Sequence, residues 1–261
     1  MMKRVWSGIT LLALLFCMAG CSGSGTQSED RADEQAQSYA YGIAEDSANG
    51  VRMHMLRVDP DLVDLVAIRS NVTHAGLTGI NGGFFYDNQL LSIAVEDDQP
   101  AAGEPGGYGS GWFNVKYARG TLVYDKTNGE LSVQVAASAE ELQMADRSRY
   151  WAQGGISMGL ASGYGSEWRQ QADAEAAPYP DDERLRSAMA YDEEGNVHLI
   201  VTSVMCTLGE LRDAIIRLRD THGFVDGIFL DGDGSSQLRA AEEQLAGDGR
   251  PVVQMIAIHS P

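Results

Sequence analysis

Most of this chain consists of short apolar segments separated by clusters of Gly, Asn, Asp and Pro, which is typical of β-strands joined by turns. Thirty of the 261 residues are glycine. One segment, 207–222, has a clear helical period instead. Its apolar residues lie on one face and its charges on the other. Thr207 and Glu210 have the spacing of a capping box, and Gly223 is placed to end the helix.

The remaining segments predict a sheet-rich domain. Candidate strands cover 51–55, 63–68, 90–95, 112–117, 121–124, 131–135, 187–191, 197–204, 224–230 and 252–258. Asn128-Gly129 predicts a two-residue hairpin turn. Two short helices are expected at 139–146 and 237–245, and a long loop at 163–183. We therefore expect an α+β fold, a single mixed-sheet domain with few helices at 39–261.

The N-terminal residues predict a targeting signal. Lys3 and Arg4 precede an apolar run at 9–18, which is typical of a secretory signal peptide. Met18-Ala19-Gly20-Cys21 resembles a bacterial lipobox, and a Ser/Gly tether follows it. We predict a signal peptide at 1–20, a lipidated Cys21 and a linker at 21–38. This predicts an extracytoplasmic lipoprotein anchored to the membrane by its lipid; the alternative is a cleaved signal with an incidental Cys.

Charge and cysteine content exclude two classes of protein. The formal net charge is −18, from 19 basic and 37 acidic residues. Binding to the phosphate backbone of a nucleic acid needs a basic face, so we expect no nucleic-acid partner. Three cysteines are too few for a disulfide scaffold. Cys206 ends an apolar run, which predicts a buried, inert thiol.

The segment 80–85, Ile-Asn-Gly-Gly-Phe-Phe, is the first of three candidate functional motifs. Gly82 and Gly83 would let backbone N–H groups approach a ligand, as in an anion nest. Asn81 offers an amide, and Phe84 or Phe85 an apolar wall for a sugar. The alternative is a tight turn followed by two core aromatics.

Arg186 and Ser187, at the start of a predicted strand, form the second motif. An arginine can bind phosphate through two parallel hydrogen bonds. The alternative is a surface arginine paired with one of the many acids.

The third motif follows the apolar strand 224–230, and loops at strand ends are common ligand sites. It consists of Asp231, Gly232, Asp233, Gly234, Ser235 and Ser236. The glycines allow a tight backbone, and the hydroxyls could bind a phosphate or a sugar. The spacing of Asp231, Asp233 and Ser235 also resembles the start of a calcium loop, although Ser236 stands where that loop needs glycine. A divalent cation touching Asp231 or Asp233 stays an open alternative.

Taken in order, the three motifs resemble the phosphodiester glycosidase family in its short bacterial form. The resemblance spans about 51–258, and Arg250-Pro251-Val252 also agrees with it. It implies hydrolysis of a sugar-1-phosphodiester at the glycosidic bond, without a cofactor. The catalytic residues it implies are Asp231, Arg186 and Asn81. The substrate-binding residues it implies are Gly82, Gly83, Phe84, Ser187, Gly232, Gly234, Ser235 and Ser236.

In this resemblance Asp231 is the nucleophile or base, because a carboxylate can stabilise or attack an oxocarbenium-like transition state. Arg186 would hold the departing phosphate. Asp233 departs from the family, which usually has glycine there. Aspartate tolerates the left-handed backbone, but a second carboxylate would repel phosphate unless it were protonated or metal-bound.

Two other functions remain open. One is a non-catalytic, envelope-anchored protein that binds a glycan in the same pocket. The other is a metal-dependent phosphoesterase that uses Asp231 and Asp233.

Overall fold

The computed structural model describes residues 38–260, and the predictions for residues 1–37 lie outside that range. The strands are β1 Tyr39–Glu45, β2 Arg52–Val58, β3 Val63–Ser70, β4 Thr78–Asn81, β5 Phe85–Tyr86, β6 Gln89–Leu90, β7 Ala94–Glu96, β8 Gln99–Pro100, β9 Arg119–Asp125, β10 Glu130–Ala136, β11 Tyr150–Gly154, β12 Ile156–Ser157, β13 Ser187–Asp192, β14 Val197–Thr202, β15 Phe224–Phe229, β16 Leu238–Arg239, β17 Gln244–Leu245 and β18 Val252–Ile258. The α-helices are α1 Glu167–Ala174, α2 Leu208–Arg217 and α3 Arg219–His222. Single 3-10 turns lie at Pro60–Leu62, Val72–His74, Ala139–Glu141, Leu160–Ser162 and Asp233–Ser235.

Three sheets organise these strands. A six-stranded sheet has the order β1-β2-β14-β13-β15-β12, and two five-stranded sheets have the orders β10-β9-β11-β7-β8 and β17-β16-β4-β18-β3. The strands β5 and β6 form a separate hairpin. Every strand pair in the described part of the chain is antiparallel. The α+β prediction is therefore confirmed.

The central strands of the six-stranded sheet, β13, β14 and β15, are largely buried on both faces. Along β15, Ile228 faces the main core, whereas its neighbour Phe229 packs with the apolar face of α2. The main core also takes Leu122 and Ile256 from the two five-stranded sheets. A strand buried on both faces is apolar at most of its positions, which explains why β15 is mainly apolar apart from Asp226 and Gly227.

The helix predicted at 207–222 is confirmed, although it is divided into α2 and α3. Both hydrogen bonds of the Thr207–Glu210 capping box are present. The helix is interrupted at Leu218, and α3 then ends at Gly223 with a left-handed φ of 66°. In the described residues, no helix is long and apolar enough to cross a membrane.

Several local predictions are wrong. The segment 237–245 forms the strands β16 and β17 instead of a helix, because Leu238 pairs with Ile80 and extends the sheet that contains β4. Only Ala139–Glu141 of the helix at 139–146 forms, as a 3-10 turn. The segment 112–117 is irregular, and its Phe113 makes one isolated bridge to Ser138.

Three further predictions are corrected in detail. The strand predicted at 90–95 is interrupted, since β6 ends at Leu90 and β7 begins at Ala94. The long loop at 163–183 contains α1. The hairpin at Asn128-Gly129 is present, but Asp125 pairs with Glu130, so its loop has four residues rather than two.

Candidate active site

The second and third motifs meet because β13 and β15 are antiparallel neighbours. The start of β13 therefore lies beside the end of β15. The pairing continues past both strands: Leu230 N donates to Ser187 O at 2.9 Å, and Asp233 N donates to Leu185 O at 2.7 Å. This register places Arg186 beside the loop that begins at Asp231.

The first motif joins them from the sheet that contains β4. The side-chain nitrogen Nδ2 of Asn81 donates to the backbone carbonyl of Asp231 at 2.8 Å. The backbone N–H of Asp231 donates to Gly82 O at 3.3 Å. The three motifs, which lie on separate segments of the chain, therefore form one site between two sheets.

A cleft of about 200 Å³ opens at this point. Asp231 and Ser235 line it together with Phe84 and Tyr179. Three arginines, Arg184, Arg186 and Arg250, and a second acid, Asp233, also line it. The cleft therefore combines two acids that follow a strand end, an aromatic wall and several cationic groups.

Asp231 has an unusual protonation equilibrium. The pKa of its carboxyl is raised to about 6, mainly by burial and to a smaller extent by the nearby charge of Asp233. Hydrogen bonds from the Ser235 hydroxyl and the Gly232 N–H, together with the positive charge of Arg250, lower the pKa and limit this rise. Asp231 can therefore exchange a proton near neutral pH, as an acid–base or nucleophilic group requires.

Asp233 adopts the left-handed backbone expected of it, with a φ of 58°. Its Oδ2 accepts a 2.8 Å hydrogen bond from Arg184 Nη1, and both side chains are partly exposed. This ion pair offsets the negative charge that would otherwise repel a phosphate. Among the described residues no group of three or more His, Cys, Asp or Glu side chains is arranged to hold a metal. The divalent cation stays a prediction.

Arg186 is buried, so the alternative of a surface arginine is wrong. Its Nε donates to Cys206 O at 3.0 Å, and its Nη2 donates to Tyr179 O at 2.8 Å and to Asp182 O at 2.6 Å. The guanidinium thus holds the 179–182 segment that forms one side of the cleft. Nη1 has no hydrogen bond to any described residue and is the nitrogen left for a ligand. Phosphate binding by Arg186 stays a prediction.

Cys206, which accepts that hydrogen bond through its carbonyl, is buried as expected. Burial raises the pKa of its thiol to about 12. The thiol is therefore protonated at neutral pH and has the inert character that its sequence position predicts.

Asn81 is buried and uses its whole amide within the protein. Besides its bond to Asp231, its Nδ2 contacts Gly82 O, and its Oδ1 accepts from Ser187 Oγ at 2.7 Å and Gln237 N at 3.0 Å. The structure therefore places Asn81 and Ser187 behind the site, where they position Asp231. Direct catalysis by Asn81 and substrate binding by Ser187 stay predictions.

The expectation of an anion nest at Gly82 and Gly83 is wrong. Their N–H groups donate to the backbone and side-chain oxygens of Gln254, at 3.0 and 3.2 Å. A Cβ on Gly82 would come within 1.7 Å of the Gln254 side chain, and one on Gly83 within 2.6 Å of Ser92. Glycine is needed here because buried glutamine and serine side chains lie against the backbone.

Of the other residues predicted in this loop, some line the cleft, whereas others are buried and do not line it. Gly232 and Ser235 line the cleft. Gly234 is buried against Asp248, which would lie 2.1 Å from an added Cβ. Ser236 is also buried, and its hydroxyl has no hydrogen-bond partner in the described structure.

Phe84 forms the apolar wall, whereas Phe85 packs in the core. The guanidinium carbon of Arg119 lies 5.0 Å from the centre of the Phe84 ring. A cation over the ring fixes its orientation. Of the two aromatics that were considered for this wall, Phe84 is therefore the one in the cleft.

Sequence reasoning missed the cleft roles of Tyr179, Arg184 and Arg250. Arg184 stacks on Tyr179, with its guanidinium carbon 4.0 Å from the ring centre. It lies two residues before Arg186, so both face the same side of an extended chain. That spacing is the signal that could have identified Arg184. Tyr179 lay within a stretch predicted only as a loop.

Comparisons with known proteins identify the family of the chain and support its fold. The model of the phosphodiester glycosidase family matches residues 77–259. The catalytic domain of zebrafish N-acetylglucosamine-1-phosphodiester α-N-acetylglucosaminidase, in a form auto-inhibited by its pro-peptide, is similar in structure. Its TM-score is 0.60 at 18% identity, over 85% of this chain and 82% of that one.

A hypothetical protein from Synechocystis gives a TM-score of 0.45 at 14% identity, over 85% of this chain and 62% of that one. A comparison with curated proteins gave no match. The zebrafish domain supports the fold, and the family model covers more than half of the 261 residues, including all three motifs. The chain therefore belongs to the phosphodiester glycosidase family.

Proposed function

We propose that this protein hydrolyses the glycosidic bond of a sugar-1-phosphodiester, with Asp231 as the nucleophile or base. The observation that carries the proposal is the position of Asp231. It lies at the end of β15, in a cleft with three arginines and an aromatic wall. Family membership supports the same reaction class.

The reaction adds one water across the bond between the anomeric carbon and the phosphate oxygen. That bond breaks, the sugar gains a hydroxyl group, and the phosphodiester becomes a phosphomonoester. The transition state resembles an oxocarbenium ion, which an ionised Asp231 would stabilise or attack. With a pKa of about 6, Asp231 is mostly ionised at pH 7.

The arginines would stabilise the departing phosphate. Arg184 is paired with Asp182 and Asp233, and Arg250 is paired with Asp248. A phosphate oxygen is a strong acceptor for arginine and would compete with these exposed carboxylates. In this proposal the phosphate takes the place of Asp233 on Arg184, and Phe84 supports the apolar face of the sugar.

We further propose that the reaction takes place at the cell envelope. The lipobox-like segment Met18-Ala19-Gly20-Cys21 supports this location, because acylation of Cys21 would anchor the chain outside the cytoplasm. The substrate would then be an extracytoplasmic sugar phosphate or glycan.

The test measures hydrolysis of α- and β-linked hexose- and N-acetylhexosamine-1-phosphodiesters by the full chain, with and without a chelator. We expect release of reducing sugar and at least about a hundredfold lower kcat in Asp231→Asn. Asp226→Asn is the matched control, since Asp226 lies on the same strand, β15, and burial also raises the pKa of its carboxyl. Its kcat should stay close to that of the wild type.

Three results would overturn the proposal. Full activity in Asp231→Asn would remove its central residue. Binding of the sugar without turnover by the wild type would indicate the non-catalytic glycan-binding function. Chelator-sensitive release of a sugar phosphate would indicate the metal-dependent phosphoesterase.

A further inference from the structure

A second concave surface, which we call the tyrosine groove, has a volume of about 420 Å³. Tyr86, Leu91, Tyr108, Lys116, Tyr117 and Arg119 line it. Its three tyrosines are 74%, 63% and 44% exposed, in the order Tyr86, Tyr108, Tyr117. Large aromatic side chains that remain this exposed and share one concavity are typical of a binding surface.

The groove begins where the aromatic wall of the cleft ends. The N–H of Leu91 in the groove donates to Phe84 O at 2.8 Å. The Arg119 guanidinium carbon lies 5.0 Å from the ring centre of Phe84 and 5.4 Å from that of Tyr117. Arg119 therefore contacts both the cleft wall and the groove, and a ligand longer than one sugar could extend from one to the other.

The chemistry of the groove suits a carbohydrate. A tyrosine presents a flat apolar ring and a polar hydroxyl, whereas a pyranose presents a face of C–H groups and a rim of hydroxyls. The charged groups of the groove, Lys116 and Arg119, are both donors, although the chain as a whole has a net charge of −18. Lys116 has a left-handed φ of 72°, a strained backbone that is often found at ligand sites.

We propose that the tyrosine groove binds the sugar rings of a glycan that continues from the scissile phosphodiester. This inference rests on the proposed function, because it makes the groove an extension of the substrate cleft. It assigns the protein an oligomeric or polymeric glycan substrate, with the linkage to be cleaved at Asp231 and further rings stacked on Tyr86, Tyr108 and Tyr117.

Calorimetry with the full chain tests the inference by binding alone. The probes are chitohexaose, maltohexaose and cellohexaose, with N-acetylglucosamine and glucose as single rings. We expect at least one hexaose to bind more tightly than the single rings, and Tyr108→Ala or Tyr117→Ala to weaken it by about 3- to 10-fold. Tyr108→Phe keeps the ring and should retain most of the affinity.

Tyr164→Ala is the matched control, because Tyr164 is 62% exposed and lies outside both the cleft and the groove. It should leave hexaose binding unchanged. Binding of none of the hexaoses, or equal binding by wild type, Tyr108→Ala and Tyr117→Ala, would overturn the inference. Asp231→Asn should bind the hexaose normally, so a failure of the catalytic proposal remains distinct from a failure of this one.

Discussion

The side-chain amide of Asn81 donates a 2.8 Å hydrogen bond to the backbone carbonyl of Asp231 and so joins two sheets at the base of the cleft. Asn81 ends β4, whereas Asp231 follows β15. The amide oxygen of Asn81 also accepts from Ser187 and Gln237. The position of Asp231 is therefore set by a buried amide that makes four hydrogen bonds.

Replacing Asn81 with aspartate should disrupt this arrangement. Asn81→Asp keeps the shape but turns two donors into acceptors that face the carbonyls of Gly82 and Asp231. We expect a loss of about 2–4 kcal/mol in the free energy of unfolding, measured by urea denaturation, together with a large fall in kcat. Ser187→Ala removes only one hydrogen bond to Asn81 and should lower the free energy of unfolding by about 1 kcal/mol. Equal losses in the two variants would contradict this role of Asn81.

The pH dependence of kcat/KM should report the ionisation of Asp231. A nucleophile or base must be ionised, and burial raises the pKa of Asp231 to about 6. Activity should therefore rise with pH and level off above a midpoint near that value. Arg250→Gln removes a positive charge that lowers the pKa, so the midpoint should move up; Asp233→Asn removes a negative charge, so it should move down. Activity that falls as pH rises through 6 would instead assign Asp231 as the acid.

Replacing Asp233 with glycine or with alanine separates the effect of its left-handed backbone on stability from the effect of its charge on substrate binding. Its φ of 58° suits glycine, and its bond to Arg184 is partly exposed and therefore contributes little to stability. Asp233→Gly should have a free energy of unfolding within about 1 kcal/mol of the wild type, whereas Asp233→Ala should be about 1 kcal/mol less stable than the glycine variant. Both variants release Nη1 of Arg184 from Asp233 and leave only its pair with Asp182, so KM for a phosphodiester should fall in both. A rise of KM in both would show that Asp233 itself assists binding.

Substitution by lysine should reduce stability more at Arg186 than at Arg184. A lysine cannot reproduce the planar fork with which Arg186 reaches three backbone carbonyls. Arg186→Lys should lower the free energy of unfolding by about 2 kcal/mol and increase proteolysis near 179–182. Arg184→Lys should lower the free energy of unfolding much less than Arg186→Lys, because the carboxylate partners of Arg184 are largely exposed. An Arg186→Lys variant with full stability but a raised KM would favour direct binding of the phosphate.

The parts of the fold that local patterns encode were predictable. The capping box at Thr207 and the left-handed stop at Gly223 depend on residues within one turn of each helix end. The strand before Asp231 was recognisable because it is buried on both faces. These signals lie within a few consecutive residues.

The predictions that failed concern features that depend on contacts between distant residues. Leu238 is in a strand because it pairs with Ile80, and no local pattern contains that partner. Glycine is required at positions 82 and 83 because the side chains of Gln254 and Ser92 pack against the backbone there. Likewise, Arg186 is buried rather than at the surface because its Nε donates to the carbonyl of Cys206 on another segment of the chain; phosphate binding by Arg186 stays a prediction.

The position of isotope incorporation tests the central claim most directly. A sugar-1-phosphodiester that supports turnover would be hydrolysed by the full chain in ¹⁸O-labelled water, and both products would be analysed by mass spectrometry. Cleavage of the glycosidic bond with Asp231 as nucleophile or base predicts the label in the released sugar and none in the phosphomonoester. Label in the phosphate group, with release of a sugar phosphate, would contradict the account.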